Sequence, residues 1–170
     1  MMMQGSGFRW WQAVGIFVVA NLVSALPVGF GGDFAFYNSF RQPVVAPPDW
    51  LFPPMWMFLN ITSLVALCRV ANAGAVPGRR TFLISEGVGW VLFAAFPFAF
   101  FLLRSPVLGA CDTACGLVVA CVSVLAAAKV DRLAAVLVAF RLAWLTLATY
   151  VGIWLAYYNP DPLFRQAFGP

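Results

Sequence analysis

Apolar residues run along this chain in long blocks broken by short polar stretches, and the blocks are of membrane-crossing length. Residues 10–30, 52–71, 81–103, 107–128 and 133–157 form five such blocks. A helix needs about 20 apolar residues to cross the hydrocarbon layer, so the pattern predicts a bundle of five transmembrane helices. Arg9 with Trp10 and Trp11 opens the first block as a headgroup-level anchor. Arg9, the apolar run and Val23-Ser24-Ala25 also suit a signal peptide, but the run continues past that triplet, which favours a retained helix. Pro53 and Pro54 fall in the first turn of the second block, where missing N–H donors cost nothing. Pro97, late in the third, predicts a kink.

The longest connection, residues 31–51, carries Gly31, Gly32, Asp33, Asn38, Pro43, Pro47, Pro48 and Asp49, too many breakers for a helix interior. Phe34, Phe36, Tyr37, Phe40 and Trp50 give it apolar surface to bury, so it is expected to be ordered and to cap the bundle as a lid. The segment after residue 158 reads as a short polar tail. The whole chain, 1–170, is expected to be one all-α membrane domain.

Composition strengthens this picture. Hydrophobic residues make up 63% and charged residues 9%, against roughly 45–50% and 25% in soluble domains. The net charge of +4 comes from Arg and Lys at block ends, not from a patch, which argues against nucleic acid as a partner. Arg9, Arg69, Arg79, Arg80, Lys129 and Arg132 fall on one side of a five-span bundle, and Arg41, Arg104 and Arg165 on the other. In a bacterial inner membrane that bias puts the amino terminus inside and the long loop outside; a mitochondrial or plastid membrane is the other setting considered. The chain has no His, and Cys68, Cys111, Cys115 and Cys121 form no Cys-x-x-Cys pair, so no metal site is expected. No nucleophile and base can be assembled either, so the chain is not read as an enzyme.

Of the charges inside the apolar blocks, Glu86 and Arg141 are the most anomalous. Glu86 is about five residues into the third and Arg141 about eight into the fifth, which places them within about 5 Å in depth. Unpaired in hydrocarbon either would cost several kcal/mol, so an intramembrane pair is expected. The alternative has Arg141 snorkelling to the interface and Glu86 at headgroup level.

The stretch from Phe36 through Trp56 resembles the signature of the tryptophan-rich sensory protein, or translocator protein, family, also called the peripheral-type benzodiazepine receptors. Tyr37, Pro43, Pro47, Pro48, Trp50 and Trp56 match its spacing. Phe96-Pro97-Phe98-Ala99-Phe100-Phe101, Arg104, Asp112 and Leu142-Ala143-Trp144 are similar to later segments of the family. The chain departs from the pattern at Val45, Asn60, Phe93, Ala94, Phe140, Arg141 and Gly152. The resemblance implies a five-helix bundle, often a homodimer, that binds porphyrins, sterols or benzodiazepine-type ligands beneath the long loop. Trp56, Trp144, Trp50, Phe93, Phe96 and Tyr150, with Pro47 and Pro48 of the loop, are the expected ligand-binding residues, aromatic faces on which a tetrapyrrole, a chlorophyll-type pigment or a carotenoid can stack. Packing between helices or against lipid is the other role open to these rings. The alternative function is an accessory or pigment-holding subunit of a larger photosynthetic or respiratory membrane complex, with lipid and protein as its partners.

Overall fold

The computed structural model describes residues 7–29 and 33–168. They form a helical bundle: α1 (Trp10–Ala25), α2 (Phe34–Asn38), α3 (Phe52–Ala71), α4 (Arg79–Pro97), α5 (Pro106–Ala128), α6 (Arg132–Tyr158) and α7 (Pro162–Phe168). Among the described residues, α3, α4, α5 and α6 are long and apolar enough to cross a membrane, and α1 is a shorter apolar helix. At 16 residues α1 is about 24 Å long, short of the roughly 30 Å hydrocarbon layer. The expected end of the first helix at residue 30 and the start of the loop at 31 and 32 lie outside the described residues.

Helix boundaries follow from local chemistry. Ser105 and Asp131 cap α5 and α6, their side chains accepting from Leu108 N (3.1 Å) and Ala134 N (2.9 Å). Gly78 caps α4 at φ +92°, and a Cβ there would lie 2.7 Å from the Ala126 carbonyl oxygen, so both backbone and space demand glycine. The kink expected at Pro97 takes the form of a π turn, Phe98–Leu102, in which Leu103 N donates to Phe98 O at 2.9 Å. Proline has no N–H to continue the ladder, and the wider turn absorbs the break. It turns Phe100 and Phe101, neighbours in sequence, toward the same interior.

Two connections hold more structure than their polarity predicts. Within the breaker-rich segment, residues 34–38 lack Gly and Pro, and Asp33 caps them by accepting from Phe36 N at 2.9 Å, so one short helix forms. The tail, expected to be merely polar, folds into α7. Its cap, Asp161, also accepts from Ser105 Oγ (2.7 Å) and Val107 N (3.0 Å), which ties the tail to the start of α5.

α5 packs along α6 and α4, α3 against α6, and α1 against α4. Small residues bring the helices close: Gly109, Ala110, Thr113, Gly116 and Ala120 are the buried face of α5. Opposite them, a Cβ on Gly152 would lie 3.2 Å from the Ala110 Cα. One apolar core, around Phe82, Ala127, Ala134 and Val138, fills the end of the bundle away from the lid. A second, around Phe36, Tyr37, Phe100, Val151 and Leu155, lies beneath it.

Candidate functional site

Between the lid and the helices lies a cavity of about 470 Å³, within the range of small-molecule sites. Its wall is drawn from every long helix. α3 gives Phe52, Pro53, Trp56 and Met57; α4 and its π turn give Phe93, Phe96, Phe100 and Phe101. α6 contributes Trp144, Leu147, Ala148, Val151 and Leu155, positions that fall on one face at 3.6 residues per turn. α5 contributes Gly109, where a Cβ would lie 2.7 Å from the Phe100 ring, so glycine keeps room for that ring. Asn21 and Ser24 of α1 add a polar edge.

The aromatic wall is a connected set of rings. Trp56 meets Phe93 with centroids 5.1 Å apart, Phe52 stands edge-on to Trp144 at 5.8 Å, and Phe96 stacks on Phe100 at 5.4 Å. Such contacts fix ring orientation and leave flat faces toward the void.

The lid closes the cavity with Phe34, Tyr37 and Pro47. Tyr37 is buried, its hydroxyl donates to the Pro47 carbonyl at 3.1 Å, and its ring stands edge-on to Phe52. Burial, with a smaller contribution from the nearby Asp49 carboxylate, pushes the Tyr37 phenol up to about 12. Gln42 Nε2 donates to Tyr37 O (2.8 Å) and Asn38 Nδ2 to Asp49 (2.7 Å). The lid is also clamped to the bundle: Arg41 N donates to Asn159 Oδ1 (2.7 Å), Asn159 Nδ2 donates to Arg41 O (3.1 Å), and the Arg104 guanidinium lies 4.5 Å from the Phe36 ring.

Of the residues expected from sequence, Trp56, Trp144, Phe93, Phe96 and Pro47 line the cavity together. Trp50, Tyr150 and Pro48 do not. Trp50 sits in a 3₁₀ turn, Asp49–Leu51, with 65% of its surface exposed. Tyr150 is 49% exposed because, six residues beyond Trp144, it lies about 120° around α6 from the cavity face. Phe52, Phe100, Phe101 and Tyr37 were not among the expected ligand residues. Phe52 was signalled by its place where the breaker-rich segment meets the helix, and the Phe100-Phe101 pair by its place just after Pro97.

Glu86 and Arg141 meet in the bundle interior. The Arg141 guanidinium is bonded to both carboxylate oxygens of Glu86, one of them at 3.0 Å, and to Ser63 Oγ at 3.0 Å; Ser63 in turn donates to Glu86. Glu86 is fully buried and Arg141 nearly so. The cluster joins α3, α4 and α6. Among the described residues no three side chains of metal-binding type come together, and Cys111, Cys115 and Cys121 lie on the outer face.

The model of the TspO/MBR family matches residues 13–157, which include every residue that lines the cavity. The chain is 31% identical over 149 residues to the tryptophan-rich protein TspO of Chlorobaculum tepidum, covering 79% of this chain and 90% of that one. It is 28% identical over 105 residues to the protein of the same name from Archaeoglobus fulgidus, covering 56% and 66%.

Proposed function

The chain belongs to the TspO/MBR family of integral membrane proteins, and from that premise we propose that it binds a rigid, apolar small molecule, of tetrapyrrole, sterol or carotenoid type, in the cavity beneath the lid. The observation that carries this reading is the 470 Å³ void walled by Phe52, Trp56, Phe93, Phe96, Phe100 and Trp144. A close-packed bundle has few voids larger than a water molecule, so a void of this size under an ordered cap calls for an occupant. Its aromatic faces suit flat or polyene ligands, which gain both buried area and stacking. On this reading α1 is the fifth span, the lid controls entry, and the protein acts by holding its ligand and not by transforming it.

Equilibrium titration of the detergent-purified protein with protoporphyrin, a sterol and a carotenoid tests it. The expected result is one saturable site for at least one of them, weakened by Trp56→Ala. Absence of saturable binding by all three overturns it.

A second reading draws on α6, where Tyr150, Trp154 and Tyr158, none of which lines the cavity, form a run of tilted ring contacts with centroids 6.3 and 4.3 Å apart. Such a ladder suits a neighbouring pigment or membrane subunit. Purification in mild detergent separates the two: a monomer or dimer favours the binding protein, and a large pigmented complex favours the subunit.

A further inference from the structure

Side-chain charges are divided unevenly between the two ends of the bundle. At the lid end Arg41, Arg104 and Arg165 are offset by Asp33, Asp49 and Asp161. At the other end Arg9, Arg69, Arg79, Arg80, Lys129 and Arg132 face Asp131, the one acid there among the described residues. That acid is already committed: its carboxylate pairs with Arg69 at 2.7 Å and accepts from Ala134 N. Arg79 is committed too, because its guanidinium donates to the Ala71 carbonyl at 2.7 Å and closes the end of α3. Arg80 and Lys129 are exposed, and neither side chain has a hydrogen bond or ion pair among the described residues.

The fold brings these two cations to one place. Gly78 lets the turn before α4 sit directly on the turn after α5: a Cβ on residue 78 would lie 2.7 Å from Ala126 O and 3.2 Å from Lys129 Cβ. Arg80 follows two residues later, in the first turn of α4. No side chain caps that helix, so the positive end of its dipole adds to the two cations and is not offset by an acid. Like charges gathered in this way are stabilised by an anion between them.

The surface next to the cations selects the kind of anion. Arg80 stands one turn from Ile84, which begins the exposed apolar stripe Ile84, Val88 and Val91 of α4. Lys129 stands one turn from Leu125, which ends the exposed stripe Val118, Val122 and Leu125 of α5. α4 and α5 pack side by side, so two apolar tracks, each about 10 Å long, run from the cations into the hydrocarbon layer. A free phosphate would use the cations alone, whereas a two-chain phospholipid would use the cations and both tracks.

We propose that this corner of the bundle binds one anionic phospholipid of the adjoining leaflet, its phosphate held by Arg80 and Lys129 and its acyl chains laid along the α4 and α5 stripes. The site is separate from the cavity beneath the lid and clasps the two helices from outside.

Native mass spectrometry of the full chain in a neutral detergent, titrated with dioleoyl phosphatidylglycerol or dioleoyl phosphatidylcholine, tests it. One phosphatidylglycerol is expected to be retained about tenfold more tightly than phosphatidylcholine, a difference of about 1.4 kcal/mol, the order that two cations at a headgroup supply. The Arg80→Gln, Lys129→Gln double substitution is expected to abolish that preference, while Arg80→Lys, which keeps the charge, and Arg165→Gln, at the lid end, should preserve it. Both altered side chains are exposed and unpartnered, so the unfolding midpoint in lipid-free detergent should not move. Equal retention of the two lipids by the unaltered protein overturns the proposal. A preference that survives the double substitution overturns the location. Tighter binding of glycerol phosphate than of phosphatidylglycerol assigns the cations to a free phosphate and overturns the lipid.

Discussion

The two ends of this bundle are built from the same helices yet solve opposite problems. Away from the lid, small side chains such as Ala66, Ala127 and Ala134 let the helices close around Phe82 and Val138 until little space is left. The polar groups there satisfy one another: Arg141 with Glu86 and Ser63, and Ser123 with Ser85, whose own hydroxyl donates to Phe82 O. Beneath the lid, large rigid rings meet edge to face and stacked, and cannot interdigitate tightly enough to exclude a void. Between the two regions, Asn60, Trp90 and Trp144 keep unpartnered donors. The contrast shows that burial alone does not mark a functional region. A charged cluster whose members bond one another is a fastening, whereas an unfilled apolar void beneath an ordered lid has room for an occupant.

The largest effect is expected at the fastening. Removing one member of a buried ion pair leaves the other charge unpaired, at a cost of about 3–5 kcal/mol. Arg141→Met or Glu86→Leu alone should therefore lower the unfolding midpoint sharply in detergent, while the Glu86→Leu, Arg141→Met double substitution should recover most of the loss. Additive losses in that cycle would show that the pair is not coupled.

The next effect lies in the cavity and should spare stability more than binding. Trp56→Ala removes a ring that faces the void, and affinity for a porphyrin or polyene should fall by about 1–3 kcal/mol. Unchanged affinity would move the ligand out of this cavity.

A smaller effect is expected at the lid. Tyr37→Phe deletes one hydrogen bond, to Pro47 O, worth about 1 kcal/mol, and should speed proteolysis between residues 39 and 50 several-fold. Tyr37 also sets a pH limit. Its phenol is raised from 10.0 to about 12 in the fold, so the protonated form is the one the lid stabilises. Lid protection should be complete below pH about 10 and be lost as pH rises toward 12; in Tyr37→Phe that particular loss should vanish.

The smallest effect concerns the exposed turn before α6, where Asp131 accepts from Arg69 Nε at 2.9 Å and caps Ala134. The Arg69 hydrogen bond, followed by the Ala134 N–H, holds the Asp131 carboxyl below its usual range. Its contribution is present above the ordinary carboxylate pKa of about 4 and fades as pH falls through its lowered value. Asp131→Asn should flatten this slight acid dependence of the thermal midpoint, and salt should mask it.

Much of the fold was legible because apolar blocks and breakers are strong signals. The blocks at 52–71, 81–103, 107–128 and 133–157 agree within a few residues with α3, α4 with its π turn, α5 and α6. The short helix at 34–38 and α7 were not legible, since each depends on a single capping aspartate in an otherwise polar or broken stretch. The site was half legible. Trp56, Trp144, Phe93 and Phe96 were identifiable as flat faces, but Trp50 and Tyr150 were not separable from them, because in a lipid-facing helix both the interior and the outer face are apolar and the usual periodicity carries little information. Asn60 stood out only as a departure from the family pattern. That its Nδ2 is buried without a partner among the described residues depends on what surrounds it, which no spacing along the chain reveals.

The contrast between a closed end and a receptive one is tested most directly by hydrogen exchange of the detergent-solubilised protein with and without protoporphyrin. Ligand should slow exchange in the lid, residues 33–51, and around the cavity-lining segments 93–103 and 147–155, while residues 64–70, 79–86 and 126–138 remain unchanged. Protection confined to the closed end, or absent from the lid and cavity segments under saturating ligand, would contradict the account.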